Sequence, residues 1–206
     1  MAVGKLVPED TVFFLCDVQT RFRSLIHGFE DVVATANKML KVAKALNIPV
    51  LVTVQNPKAL GYTAPEIALD SLGPLLIGKL EKTLFSMVTP ETKAILSDHS
   101  NVKSVVLFGI ETQVCVLQTA LDLLELNYHV HVIADGVSSC NVEEISIALD
   151  RIRQAGGHIT TSESVAFQLQ RDASMTTFKP FSSIIKEEKE ATKKSLVTLC
   201  GRRSVL

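Results

Sequence analysis

Residues 104–135 read SVVLFGIETQVCVLQTALDLLELNYHVHVIAD, and this stretch decides the fold. Ser104 to Phe108 is a short β-branched and aromatic run, apolar enough for a strand covered on both faces. Gly109 interrupts it. From about 113 to 126, Val116, Leu117, Ala120, Leu121 and Leu124 recur at helical spacing and predict an inward stripe. His129 to Ala134 returns to strand character. A strand, a helix and a second strand in so few residues close most directly as a parallel β-α-β crossover.

The alternation continues outward in both directions. Thr11 to Cys16 (TVFFLC) is apolar throughout, as a central strand should be. A helix over about 31–46 follows, with Val32, Val33, Ala36, Met39, Leu40, Ala43 and Leu46 on one face. Pro49 opens a second strand, Val50 to Val54, and residues 55–74, with Pro57, Pro65 and Pro74, read as a functional loop. A short strand near Leu76–Leu80 precedes Glu81 and Lys82, and a helix over about 90–97 leads back to Ser104. Beyond Asp135, Asn141 with Glu144 predicts a capped helix over about 142–154; Gly156 and Gly157 stop it, and a sixth strand is expected near His158–Thr161. The predicted fold class is α/β, a three-layer αβα sandwich around a mainly parallel, six-stranded, Rossmann-like sheet. From residue 172 the pattern weakens. KEEKEATKK (186–194) reads as a solvated helix or tail, and LVTLC (196–200) could dock on this subunit or a neighbour. Residues 1–171 thus form the main domain and 172–206 a C-terminal appendage.

Composition narrows the function class. A chain of 206 residues, 47% hydrophobic, can bury one substantial core. With a net charge of −1 and no basic block before residue 185, neither a nucleic-acid nor an anionic-membrane partner is expected. No apolar run reaches the roughly 18 residues of a membrane span. Cys16, Cys115, Cys140 and Cys200 lie far apart without a CxxC pair, which is neither a disulfide framework nor zinc-ligand spacing. A reducing, cytoplasmic setting fits that usage. The opening MAVGKLVPED is not a secretory signal, and mitochondrial import stays open. The closing Ser204-Val205-Leu206 lacks the basic centre of a peroxisomal address but leaves that route open too.

Ligands of an open parallel sheet bind at the carboxyl ends of its strands. Asp17 ends the first strand, Lys82 follows the third, Cys115 comes shortly after the fourth, and Asp135 closes the fifth. With Thr112 as N-cap, Cys115 occupies about the third helical position, where free amides and the positive helix end stabilise an anion. Each signal has a bland alternative: a packed thiol, a loop-capping Asp, a surface Lys. Their common edge of the sheet is what joins them. Cys16 adjoins Asp17 but should point to the other side of the strand, into the core. His129 and His131 share a strand face away from that edge and read as structural, while His27, His99 and His158 are isolated.

FFLCDVQTRF (13–22) resembles the hydrophobic-Asp-x-Gln-x-x-Phe opening of the isochorismatase-like hydrolases. GIETQVCV (109–116) resembles that family's nucleophile motif, and EKTLFSM (81–87) its lysine segment. The three occur in the family's order, over about residues 10–170. Together with QNPKALG (55–61), they place the chain nearest the isochorismatase-domain proteins of eukaryotes. The resemblance implies a triad of Asp17, Lys82 and Cys115. It also implies a cis peptide at Ile110–Glu111 and an oxyanion hole from the N–H groups of Glu111 and Cys115. Gln19, Phe22 and Gln55 become candidate pocket residues, with Gln19 better suited to holding the loop.

Two departures restrict the chemistry. Nicotinamidases of the family carry an Asp-x-His metal cluster after the second strand; VQNPKAL (54–60) has neither residue, so no metal and no cofactor are expected, and nicotinamide is disfavoured. True isochorismatases lack the nucleophilic cysteine, so Cys115 disfavours isochorismate. The resulting reading is a metal-independent cysteine hydrolase of a small-molecule amide or related acyl bond, passing through a thioester, in a homo-oligomer. The alternative is a protein-interaction role with a retained but little-used triad.

Overall fold

A computed structural model describes residues 4–201. The Ser204-Val205-Leu206 reading therefore lies outside the described residues. Six strands, β1 (Thr11–Cys16), β2 (Val50–Gln55), β3 (Leu76–Lys82), β4 (Ser104–Ile110), β5 (His129–Ser138) and β6 (His158–Thr160), form one sheet in the order β3-β2-β1-β4-β5-β6. Every neighbouring pair runs parallel. β1 and β4 sit at the centre with all residues buried, which is why their sequences are apolar without alternation.

Helices cover both faces: α1 (Phe29–Leu46), α2 (Pro57–Leu60), α3 (Pro90–Asp98), α4 (Leu117–Glu125), α5 (Val142–Gln154), α6 (Ser162–Gln170), α7 (Phe178–Glu187) and α8 (Lys189–Cys200). The period-2 pleat of β1 divides the core. Phe13 and Leu15 pack with α1 and the C-terminal helices, whereas Val12, Phe14 and Cys16 face α4 and α5. Phe13 meets Phe108 edge to face across β1 and β4, at 6.2 Å.

Several boundaries differ from the sequence expectation. β5 continues to Ser138, past Asp135, through an irregular register opposite Gly109. Asp135 consequently does not stand at the reactive edge. Its carboxylate accepts from the Ser162 amide at 2.7 Å and the Ser162 hydroxyl at 2.6 Å, anchoring the start of α6. Asn141 does precede α5, but its side chain makes no capping bond. On the helix after Cys115 the expected stripe largely faces inward: Val116 and Ala120 are buried, Leu117 and Leu124 pack partly buried against the same cluster, and Leu123 is buried in place of Leu121. Thr112–Val116 forms a π turn ahead of α4.

The C-terminal segment is two helices rather than a solvated tail. Phe181 and Leu199 enter the same apolar cluster as α1. Buried Lys38 on α1 donates from Nζ to Thr192 Oγ1 (2.9 Å) on α8 and to Ser162 Oγ (3.1 Å) on α6, and burial lowers the basicity of its amine. His27 contacts the Thr198 carbonyl of α8 through Nε2 at 3.1 Å. At the β5–β6 edge His158 is not isolated: it stacks on buried His131 at 4.7 Å. Burial, with His158 and His129 nearby, pushes His131 down to about 4.

Candidate active site

The carboxyl ends of β1, β2, β3 and β4 converge on one buried carboxylate. Asp17 is 1% exposed. Its Oδ2 receives the Lys82 ammonium at 2.6 Å, and its Oδ1 the Thr53 hydroxyl at 2.8 Å. Thr53 stands opposite Cys16 in the β1–β2 register, which sets it beside the residue that follows. Lys82 Nζ also donates to Gln55 Oε1 (2.6 Å), Phe85 O (2.9 Å) and Leu84 O (3.1 Å). An ammonium this buried is compensated only because one carboxylate and three neutral oxygens surround it.

Cys115 lies in the π turn after β4, 6% exposed. Its Sγ, the Sγ of Cys16 and an Asp17 carboxylate oxygen all lie within 4.8 Å of one another. The three residues proposed from sequence motifs are thus brought together. Cys16 packs in the core as expected, yet its sulfur is not separated from Asp17 but joins them. The reason is local: Asp17 adopts φ +49, a left-handed conformation that breaks the strand's alternation. Cys16 keeps the β1 direction toward α4, where Cys115 sits, and the turn at Asp17 swings its carboxylate to the same place. The Cys16 thiol is 3.6 Å from Asp17 Oδ2. Burial, then its contact with Cys115 and the Asp17 charge, pushes that thiol well above the ordinary range.

Gly109 makes the approach of β4 possible. It has φ +123 and pairs with Cys16, and a Cβ there would stand 2.1 Å from the Cys16 carbonyl oxygen. The next peptide bond, Ile110–Glu111, is cis. Thr112 is not a side-chain N-cap: it belongs to the π turn, and its amide donates to Ser139 Oγ at 3.2 Å. Ser139 Oγ in turn donates to Gln113 Oε1, and Glu111 Oε2 accepts from the Cys140 amide at 2.8 Å. Thr119 ties the thiol's turn to the lysine segment, donating to Cys115 O at 2.6 Å and accepting from the Met87 amide at 2.8 Å. Sequence reasoning missed Thr53, Thr119 and Ser139. Strand register would have flagged Thr53; the other two follow from the π turn and the prolonged β5.

Gln19 holds the loop, exchanging bonds with the Gln55 main chain at 2.8 and 2.9 Å and donating to Gly61 O at 2.6 Å. Gln55 fixes Lys82, and its amide nitrogen donates to Thr83 O at 2.9 Å. Phe22 packs, partly buried, against the α1-side core. A cavity of about 370 Å³ opens between Asn56, Pro57, Lys58 and the Glu81–Thr83 segment; it adjoins Lys82 and does not reach Cys115. Among the described residues, Cys16, Asp17 and Cys115 are also the group of three whose ligand atoms could meet a metal ion. The Lys82 ammonium already occupies Asp17 Oδ2, and it competes with any cation for that oxygen. No helix among the described residues is long and apolar enough to cross a membrane.

Comparison with known proteins shows the family and the fold. The model of the Isochorismatase domain family matches residues 11–164. Isochorismatase domain-containing protein 2 of Xenopus laevis is 46% identical over 185 residues, covering 90% of this chain and 88% of the relative. The solved structure titled MAR1 ribonuclease, from Caenorhabditis elegans, superposes with a TM-score of 0.81 at 37% identity, covering 88% of this chain and 92% of that one. A more distant fold relative, the YcaC product of Escherichia coli, is titled an octameric hydrolase of unknown specificity. It has a TM-score of 0.82 at 22% identity and covers 96% of this chain and 97% of that one.

Proposed function

The chain belongs to the isochorismatase family, and from that premise we propose that it hydrolyses a small-molecule amide or related acyl bond with Cys115 as nucleophile. The observation that carries this reading is the meeting of the Cys115 thiol with a buried carboxylate that is itself held by a buried lysine. Asp17 takes the thiol proton, and the sulfur attacks the carbonyl carbon. Asp17 then returns the proton to the leaving group, and water hydrolyses the thioester. The N–H groups of Glu111 and Cys115 are assigned to the developing oxyanion. Losing one such donor typically costs about 2.7–4 kcal/mol of barrier. Lys82 offsets the carboxylate charge throughout.

No metal or other cofactor is assigned to this reaction, in keeping with the Asn56 to Leu60 segment, where neither Asp nor His is present. We place residues 1–171 in the hydrolase domain and give the C-terminal helices a packing role. Cytoplasmic location and homo-oligomer formation complete the reading. Tyr62, Leu84 and Phe85, each at least half exposed around the lysine segment and its neighbouring loop, support the second.

Turnover of an amide and ester panel by the wild type and by Cys115→Ala tests the proposal; equal turnover by both would sink it. RNA belongs in the same panel because the C. elegans relative is titled a ribonuclease. Cleavage of RNA alone would replace acyl chemistry with a phosphodiester reaction. Iodoacetamide should label Cys115 ahead of Cys140, whose thiol partial burial and the Glu111 carboxylate push up to about 11. Labelling in the opposite order would contradict an activated Cys115.

A further inference from the structure

The acyl chemistry proposed above uses one thiol, yet two lie at the site. Cys16 is fully buried, its sulfur within 4.8 Å of Cys115 Sγ and 3.6 Å from Asp17 Oδ2. An alanine or valine would fill an apolar strand position equally well. Cys16 instead presents an S–H to a carboxylate and to the nucleophile. Because burial keeps that thiol protonated, it does not compete with Cys115 for a substrate.

We propose that Cys16 and Cys115 form a reversible disulfide under hydroperoxide, so that the nucleophile is a protected oxidation site. In the first step the Cys115 thiolate attacks one peroxide oxygen. The S–O bond forms, the O–O bond breaks, and hydroxide leaves to be protonated as water. The sulfur has given two electrons and stands as a sulfenic acid. In the second step Cys16 sulfur attacks Cys115 sulfur, the S–S bond forms, and the S–O bond breaks. The Cys16 proton passes through the adjacent Asp17 carboxylate to the departing hydroxide, giving a second water. Two thiols and one hydrogen peroxide thus yield a disulfide and two waters (an organic hydroperoxide would give one water and one alcohol), and an external dithiol reverses the change.

Three features favour this course over irreversible oxidation. The resolving thiol already lies within 4.8 Å of the Cys115 sulfur, so no segment must unfold to deliver it. Asp17 lies beside both sulfurs and can relay the proton. Cys115 sits in a π turn, a backbone irregularity that is frequent at functional sites. The proposal does not rest on the hydrolytic reading, since sulfur oxidation is followed by mass and turnover is not.

The test treats full-length protein with a small excess of hydrogen peroxide and follows it by intact mass and non-reducing peptide mapping. The wild type should lose the mass of two hydrogen atoms, show a Cys16–Cys115 cross-linked peptide, and lose iodoacetamide labelling at Cys115. Dithiothreitol should restore all of that labelling. Cys16→Ser, which keeps a hydroxyl toward Asp17, should instead gain the mass of a sulfinic acid on Cys115 that dithiothreitol does not remove. Sulfinic acid on wild-type Cys115 at the rate seen in Cys16→Ser would overturn the proposal. So would a disulfide from Cys115 to Cys140, to Cys200 or to a second chain. If Cys16→Ser fails to fold, the wild-type cross-link map alone decides between these outcomes.

Discussion

Replacing Lys82 by methionine isolates what holds the acid in place. Methionine keeps most of the side-chain volume and removes the ammonium from an ion pair whose two side chains are each 1% exposed. Asp17 then keeps only the Thr53 hydroxyl as a strong donor, and the oxygens of Gln55, Leu84 and Phe85 lose theirs. Breaking a buried pair from one side costs about 3–5 kcal/mol, and orphaned acceptors put this case at the upper end. Asp17→Asn should cost less, about 1–3 kcal/mol. The ammonium keeps three neutral acceptors there, and asparagine tolerates the left-handed backbone at residue 17. The double variant removes both charges and should cost less than the sum of the singles by about 1–3 kcal/mol. Urea unfolding reads all four proteins as midpoint shifts at constant slope. A Lys82→Met cost below about 0.5 kcal/mol, the size seen for exposed pairs, would refute the reasoning. Strict additivity, or a larger cost for Asp17→Asn, would refute it as well.

Stability should also fall in acid because of His131. Its value in the folded protein is about 4 against an ordinary 6.5, so the unfolded chain takes up the proton first as pH drops. The stability is complete above about 6.5 and is lost progressively down to about 4, a change of roughly 3 kcal/mol. The difference between wild type and His131→Gln, measured from pH 7 to 4.5 by urea midpoint, should shrink as pH falls; a constant difference would remove His131 as the cause. Gly109→Ala should destabilise by about 3 kcal/mol or more, since its Cβ would meet strand backbone at positive φ. Gly73→Ala, also at positive φ but with open space around the added carbon, should cost about 1 kcal/mol. Equal thermal shifts for the two would contradict the close approach of β1 and β4.

The sheet was legible because a strand buried on both faces leaves an unbroken apolar run, as in TVFFLC and SVVLF, and the helices between carry a 3.6-residue stripe. Asp17, Lys82 and Cys115 were legible because strand ends limit where chemistry can gather. The burial of Cys16 was legible but its approach to Asp17 was not: alternation predicts the side of a strand, and one positive φ at the next residue cancels the separation it implies. The stripe of α4 was legible apart from Leu121, but no apolar period announces the π turn that precedes it. Thr119 and Ser139 depend on contacts between segments far apart in the chain. The C-terminal helices were obscured because their charged faces dominate the composition while few residues, Phe181 and Leu199 among them, enter the core.

The contact between His27 and α8 has a practical consequence for anyone substituting residues of that helix. His27 takes the Thr198 carbonyl with its ring, and its amide donates to Ser139 O at 3.0 Å. Ser139 in turn supports the Thr112 amide of the π turn that carries Cys115. Helix α8 is therefore fastened a few bonds of this kind from Cys115, and a substitution that perturbs α8 reaches the thiol's turn through His27 and Ser139.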